Sequence, residues 1–174
     1  MDAPSNESGI GPSEFQFRVL SPMRVTVQSV LPCSADQAWA EVQRSALLLE
    51  VCRPLVRIFP RQGEVLPEIF TEGGVVHCHI SIFGVLPLGQ RKLTFTRIDA
   101  GRREIHTEES DALFRRWDHL IRFEPGTANQ CRYTDQIEID AGLWTGLAAV
   151  FVKGFYTHRQ RRWLRVAERL ADTG

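Results

Sequence analysis

The sequence predicts an α+β fold in which a curved antiparallel sheet of six or seven strands wraps around one long C-terminal helix. Three observations predict it. From Leu55 to Asp140, β-rich runs alternate with turn residues in meander order, which makes the pairing antiparallel. Two short helical stretches follow the first strand. From Trp144 onward, Leu147, Ala148, Phe151 and Phe155 recur at helical spacing, and no proline interrupts the chain between Leu143 and Leu170.

Taken in order, residues 1–22 are rich in Ser, Gly, Pro and Asn and lack periodicity, so they are expected to form a disordered tail ahead of a single domain over 23–174. Val25, Val27 and Val30 carry a first strand, Arg24 to Leu31. Ser34 is a good helix N-cap, and Gln37 stands where a capping box needs it. Ala38, Trp39 and Val42 form that helix's apolar stripe. Ser45 is placed to cap a second helix, Ala46 to Val51, before Pro54 stops it. Strands are expected over Leu55–Phe59, Val65–Phe70, Val75–Phe83, Arg91–Ile98, Arg103–Glu109, Phe114–Glu124 and Gln130–Asp140. Gly84 to Gly89 reads as a turn with an apolar tip, Asp99–Gly101 as a second turn, and Pro125–Asn129 as the last loop.

Composition excludes some classes of function. The 174 residues suit one domain, and 21 basic against 21 acidic side chains give zero net charge. Nothing global therefore attracts nucleic acid or an anionic membrane. The four cysteines, Cys33, Cys52, Cys78 and Cys131, have no CxxC spacing and read as buried thiols in a reducing compartment. The N-terminus has no signal-like apolar segment, and no run approaches the ~20 apolar residues of a membrane span, so a cytoplasmic protein is expected. No phosphate loop, nucleophile elbow or dinucleotide fingerprint occurs, and no cofactor is expected.

The last hairpin carries the most specific signal. Side chains alternate across a strand, so Trp117, His119, Ile121 and Phe123 share one face, and Cys131, Tyr133, Asp135, Ile137 and Ile139 share another. Both faces are apolar and point inward, yet each carries polar groups. If Glu124 pairs with Gln130, His119 lies opposite Asp135; a slip of two residues keeps the faces and gives His119 to Tyr133 or Ile137 instead. The pair has two readings, a general acid–base pair facing a substrate or a satisfied buried contact that sets register. Either way, a cavity with few polar groups is the default ligand site.

Other signals are weaker. His77 and His79 share a strand face with Ser81, opposite Val76, Cys78, Ile80 and Ile82, so they are expected to face solvent, and no metal site is expected. Arg159, Arg161, Arg162, Arg165 and Arg169 crowd the end of the last helix and read as a solvated basic face. The apolar tip Val85–Leu88 offers three roles: a gate, a contact between two copies of the chain, or a fold back onto the core.

The order of strand, two short helices, meander and long helix resembles the START-like, or SRPBCC, superfamily with its helix-grip fold. Val25 to Trp39 is similar to that superfamily's opening strand, proline and capped helix. Phe83 to Gly89 is similar to the mid-sheet turn of a bacterial branch, and Trp117-x-His119 with Tyr133-x-Asp135 to that branch's last two strands. The resemblance implies a cavity between sheet and helix able to hold a lipid, sterol or polyketide-like molecule. It supplies no shared catalytic residue. The leading expectation is thus a binder or carrier of a small hydrophobic ligand. Trp117, His119, Tyr133 and Asp135 would line the cavity from the sheet, and Trp144, Phe151 and Phe155 from the helix. The alternatives are a cyclase, aromatase or dehydratase-type enzyme using His119 and Asp135, and an interaction module, including a homodimer, acting through Val85–Leu88.

Overall fold

The computed structural model describes residues 21–172, so the tail expected over 1–22 lies outside the described residues up to residue 20. Strand β1 (Met23–Leu31) leads into helices α1 (Ala35–Val42) and α2 (Ser45–Cys52). Strands β2 (Val56–Pro60), β3 (Val75–Ile82), β4 (Leu86–Asp99), β5 (Glu104–Ser110), β6 (Arg116–Pro125) and β7 (Cys131–Asp140) follow. A 3₁₀ turn over Gly142–Trp144 then enters the 28-residue helix α3 (Thr145–Asp172). The seven strands form one sheet in the order β1-β7-β6-β5-β4-β3-β2, with every neighbour antiparallel. The meander runs from β2 to β7, and β1 closes against β7.

The local chemistry accounts for the elements. Ser34 and Gln37 form the reciprocal capping box, Gln37 N–H donating to Ser34 Oγ at 3.2 Å and Ser34 N–H to Gln37 Oε1 at 3.0 Å. At α2 the N-cap is Arg44, without a side-chain cap, and Ser45 is already helical. The segment Val65–Phe70 forms no strand, and its one ladder contact is an isolated bridge from Ile69 to Arg44. Between β3 and β4 the reversal is tighter than its sequence suggests. Phe83 and Gly84 take φ of 51° and 75°, so the chain turns within three residues and Leu86–Leu88 belongs to the strand. A Cβ at Gly84 would also come within 2.8 Å of the Arg57 side chain.

α3 lies across the sheet and packs on β1 and β7, with α2 beside it. Its buried residues are Thr145, Ala149, Val152, Tyr156, Arg159, Gln160, Trp163, Val166 and Ala167. Near its C-terminal end, Trp163 packs on the stacked rings of Phe123 and Tyr133, with centroids 5.7 Å from each. Nearer its start, Ala149, Val152 and Tyr156 meet Val25, Trp117, Ile137 and Ile139 in a second, smaller cluster. No helix among the described residues is long and apolar enough to cross a membrane.

Candidate functional site

The helix α3 packs on β1 and β7 and leaves space above the β2–β4 part of the sheet. That space is a cavity of about 80 Å³, several times the ~10–15 Å³ that one water takes on the same measure. Val56 and Ile58 of β2, Val76, Cys78 and Ile80 of β3, Leu93 of β4 and Trp117 of β6 form its floor. Leu48 and Cys52 of α2 and Phe151, Phe155 and Tyr156 of α3 form its roof. A smaller lobe of about 40 Å³ continues beneath α1 and α2, past Phe70, Phe95, Ile105, Thr107, His119 and Ile121. The two lobes share Leu48, Leu93, Glu109 and Arg159.

Two polar networks border this space. In the first, Asp135 is fully buried, and its Oδ1 accepts from His119 Nε2 at 2.8 Å. Its Oδ2 accepts from Gln160 Nε2 at 3.1 Å, and that same amide reaches the Val27 carbonyl at 2.8 Å. The Tyr156 hydroxyl stands 3.3 Å from the other ring nitrogen of His119. Burial works against the Asp135 carboxylate. Arg159 and then His119 outweigh it, and the group titrates below the ordinary carboxylate range. Burial pushes the phenols of Tyr133 and Tyr156 well above their usual values, reinforced by Asp135 at Tyr133 and by Glu109 at Tyr156. Both therefore remain neutral hydroxyls.

The second network is built on Arg91. Its Nη1 donates to Glu109 at 2.7 Å, and its Nε and Nη2 donate to one oxygen of Asp111 at 2.9 and 2.5 Å. The guanidinium lies 4.4 Å from the Trp117 ring centroid, a cation–π contact. The other oxygen of Asp111 accepts the backbone N–H groups of Leu113 and Phe114, which fixes the start of β6. Burial opposes the Arg91 charge, but Glu109 and Asp111 overcome it and raise its pKa.

The two cysteines in the cavity wall are weak nucleophiles. Burial pushes the thiols of Cys52 and Cys78 up to about 11.

The inward faces of the hairpin are as the alternation predicts, with Trp117, His119, Tyr133 and Asp135 all buried. The register differs by two residues from the pairing of Glu124 with Gln130. Glu124 pairs with Arg132, and His119 lies opposite Ile137. The cause is the loop. Gly126 N–H bonds Gln130 O at 2.8 Å, so the five-residue connection is Gly126–Gln130, and Ala128 and Asn129 take positive φ within it. His119 still reaches Asp135, as a diagonal neighbour.

Of the residues expected to line one cavity, Trp117, Phe151 and Phe155 border the larger lobe and His119 the smaller. Tyr133 and Asp135 sit behind the wall. Trp144 is 71% exposed, outside both lobes. It precedes the helix because Thr145 Oγ1 donates to Gly142 O and accepts from Ala141 N–H, which closes the 3₁₀ turn first. The buried stripe of α3 therefore starts one residue later, at Thr145. Arg91, Glu109, Tyr156, Gln160 and Arg159 were not singled out as site residues, and the solvated basic face expected at Arg159 is corrected: this side chain is buried. Its spacing was the available signal, since Arg159 continues the run Val152, Tyr156 toward Trp163 at helical intervals.

A family model described as "Domain of unknown function (DUF8410)" matches residues 29–167. No curated protein matches the chain by sequence. A START superfamily protein from Mycobacterium smegmatis superposes with a TM-score of 0.63 at 11% identity, over 84% of this chain and 98% of that one. Norcoclaurine synthase from Thalictrum flavum, in complex with dopamine and hydroxybenzaldehyde, gives 0.65 at 11% identity, over 97% and 98%. Protein CV1439 from Chromobacterium violaceum gives 0.62 at 10% identity, over 83% and 97%. At such identities the likeness is one of fold. The sheet, the two short helices and the gripped C-terminal helix are those of the START-like fold, and the chain belongs to the DUF8410 family.

Proposed function

We propose that this protein binds or carries a small hydrophobic molecule in the cavity between the sheet and α3. The observation that carries the reading is the lining, in which aliphatic and aromatic side chains from six elements surround space that the core leaves unfilled. Burying one such contact contributes ~1.5–3 kcal/mol, so three or four reach micromolar affinity after association costs. Phe151 is half exposed at the cavity edge, which supports an entrance on the α3 side.

Geometry weighs against acid–base catalysis by His119 and Asp135. Both ring nitrogens of His119 already face protein partners, Asp135 and Tyr156, and the carboxylate does not border the cavity. A second reading, contact with another copy of the chain, draws on the β3–β4 turn, where Val85 is 83% and Leu86 56% exposed.

Native mass spectrometry of freshly purified protein tests both. The carrier reading expects a monomer that releases a bound small molecule on collisional activation. A bare protein that also fails to take up an added apolar dye contradicts it. A dimer lost on Leu86→Asp supports the second reading, and a monomer removes it.

A further inference from the structure

Arg159 is 6% exposed, and its guanidinium lies 5.5 Å from the Tyr156 ring centroid, yet it forms no hydrogen bond and no ion pair within 4 Å among the described residues, and its Nε is buried without a partner. A guanidinium carries five N–H donors, and leaving one buried without an acceptor is costly. The acids nearby are committed elsewhere. Glu109, which borders the same two lobes, is held by Arg91 at 2.7 Å. Asp111 is held by Arg91 and two backbone N–H groups, and Asp135 by His119 and Gln160. Burial opposes the Arg159 charge, but the Asp135 carboxylate favours it, and the group stays cationic. The charge is balanced at a distance, and the hydrogen-bonding capacity is not used.

Arg159 is also where the two lobes meet. Two further donors on the same walls are buried without partners, the Trp117 indole N–H in the larger lobe and the Thr107 hydroxyl in the smaller. The guanidinium and the indole can only donate, and the hydroxyl can donate as well, so the occupant that satisfies all three is an acceptor.

We infer that Arg159 is the anchor for an anionic ligand head, and that the molecule bound here is an apolar carboxylic acid. Its carboxylate meets the guanidinium fork at the junction of the lobes, and its hydrocarbon or aromatic body fills the larger lobe against Trp117 and Phe155. The planar fork matches a carboxylate in two parallel hydrogen bonds, which a neutral head group cannot reproduce. This inference rests on the ligand-cavity reading above and adds the chemical class.

The test is calorimetric titration of 2-naphthoate and of its neutral counterpart 2-naphthamide into the wild-type protein, Arg159→Met and Arg159→Lys. Wild type is expected to bind the acid at least tenfold more tightly than the amide. Arg159→Met should bring the two within twofold by weakening the acid alone, and Arg159→Lys should keep part of the preference. Equal affinities in wild type, or an undiminished preference in Arg159→Met, overturn the anchor while leaving the hydrophobic cavity in place. Failure of both probes to bind wild type overturns the anchor and the cavity reading together. If Arg159→Met does not fold, the wild-type pair of probes decides.

Discussion

Replacing Asp135 with alanine is expected to lower stability by about 3–5 kcal/mol, because removing one partner of a buried charge network leaves the others uncompensated. Asp135 is fully buried and joins three elements, His119 of β6, its own strand β7 and Gln160 of α3. Without it, the His119 N–H loses its acceptor, Gln160 keeps only the Val27 carbonyl, and Arg159 loses a carboxylate that sustains its charge. Asp135→Asn keeps the shape and one acceptor and should lose less. The pH dependence has a definite sign. The folded carboxyl titrates below its unfolded value of about 3.9, so the unfolded chain binds more protons between the two values. The stabilisation is present above pH ~4 and is lost as pH falls through the folded pKa. Urea unfolding from pH 7 to pH 3 should show wild type losing stability in the acid range and Asp135→Asn losing less of it. Equal acid sensitivity in the two proteins contradicts this assignment.

Arg91→Met is expected to cost about 3–5 kcal/mol for the same reason, at the other end of the cavity. The substitution leaves Glu109 and Asp111 facing each other without the cation that both bind, with side chains only 12% and 6% exposed. It also removes the cation stacked on Trp117, so the wall of the larger lobe loosens. A double-mutant cycle with Asp111→Asn separates the charge effect from lost packing. The double variant should be less destabilised than the sum of the singles, since one of the stranded carboxylates is gone. Additive losses measured by urea unfolding would mean that Arg91 acts through its hydrocarbon stem alone.

Much of the architecture was legible because strand and helix periods are local. Alternation assigned Trp117, His119, Tyr133 and Asp135 to the inner face, and Ser34 with Gln37 marked the start of α1. Alternation is blind to a slip of two residues, however. The pairing of β6 with β7 depended on where Gly126 and Gln130 closed the loop, which a residue pattern does not show. The β3–β4 turn was hidden because Phe83 adopts a positive φ that few large residues take. The polar half of the site was obscured by residue type. Arg159 sits among four other arginines on the last turns, and Arg91 reads as a strand-edge charge, although it shares parity with the inward Leu93 and Phe95. Charged residues are seldom buried, so their inward phase was outweighed by their chemistry. A pair of out-of-place arginines on apolar faces was the signal for the site.

The most direct test of the ligand cavity uses three of the four tryptophans as positional reporters. Trp117 borders the larger lobe with an unpartnered indole N–H, Trp163 is enclosed by Phe123 and Tyr133, and Trp144 lies on the surface. Indole ¹H–¹⁵N resonances, assigned by single Trp→Phe variants, should be followed while 2-naphthoate is added. The cavity account predicts a saturable shift of the Trp117 indole with the Trp144 indole unmoved. A saturable shift of Trp144 with Trp117 unmoved would place the ligand on the outer surface of the helix and contradict it.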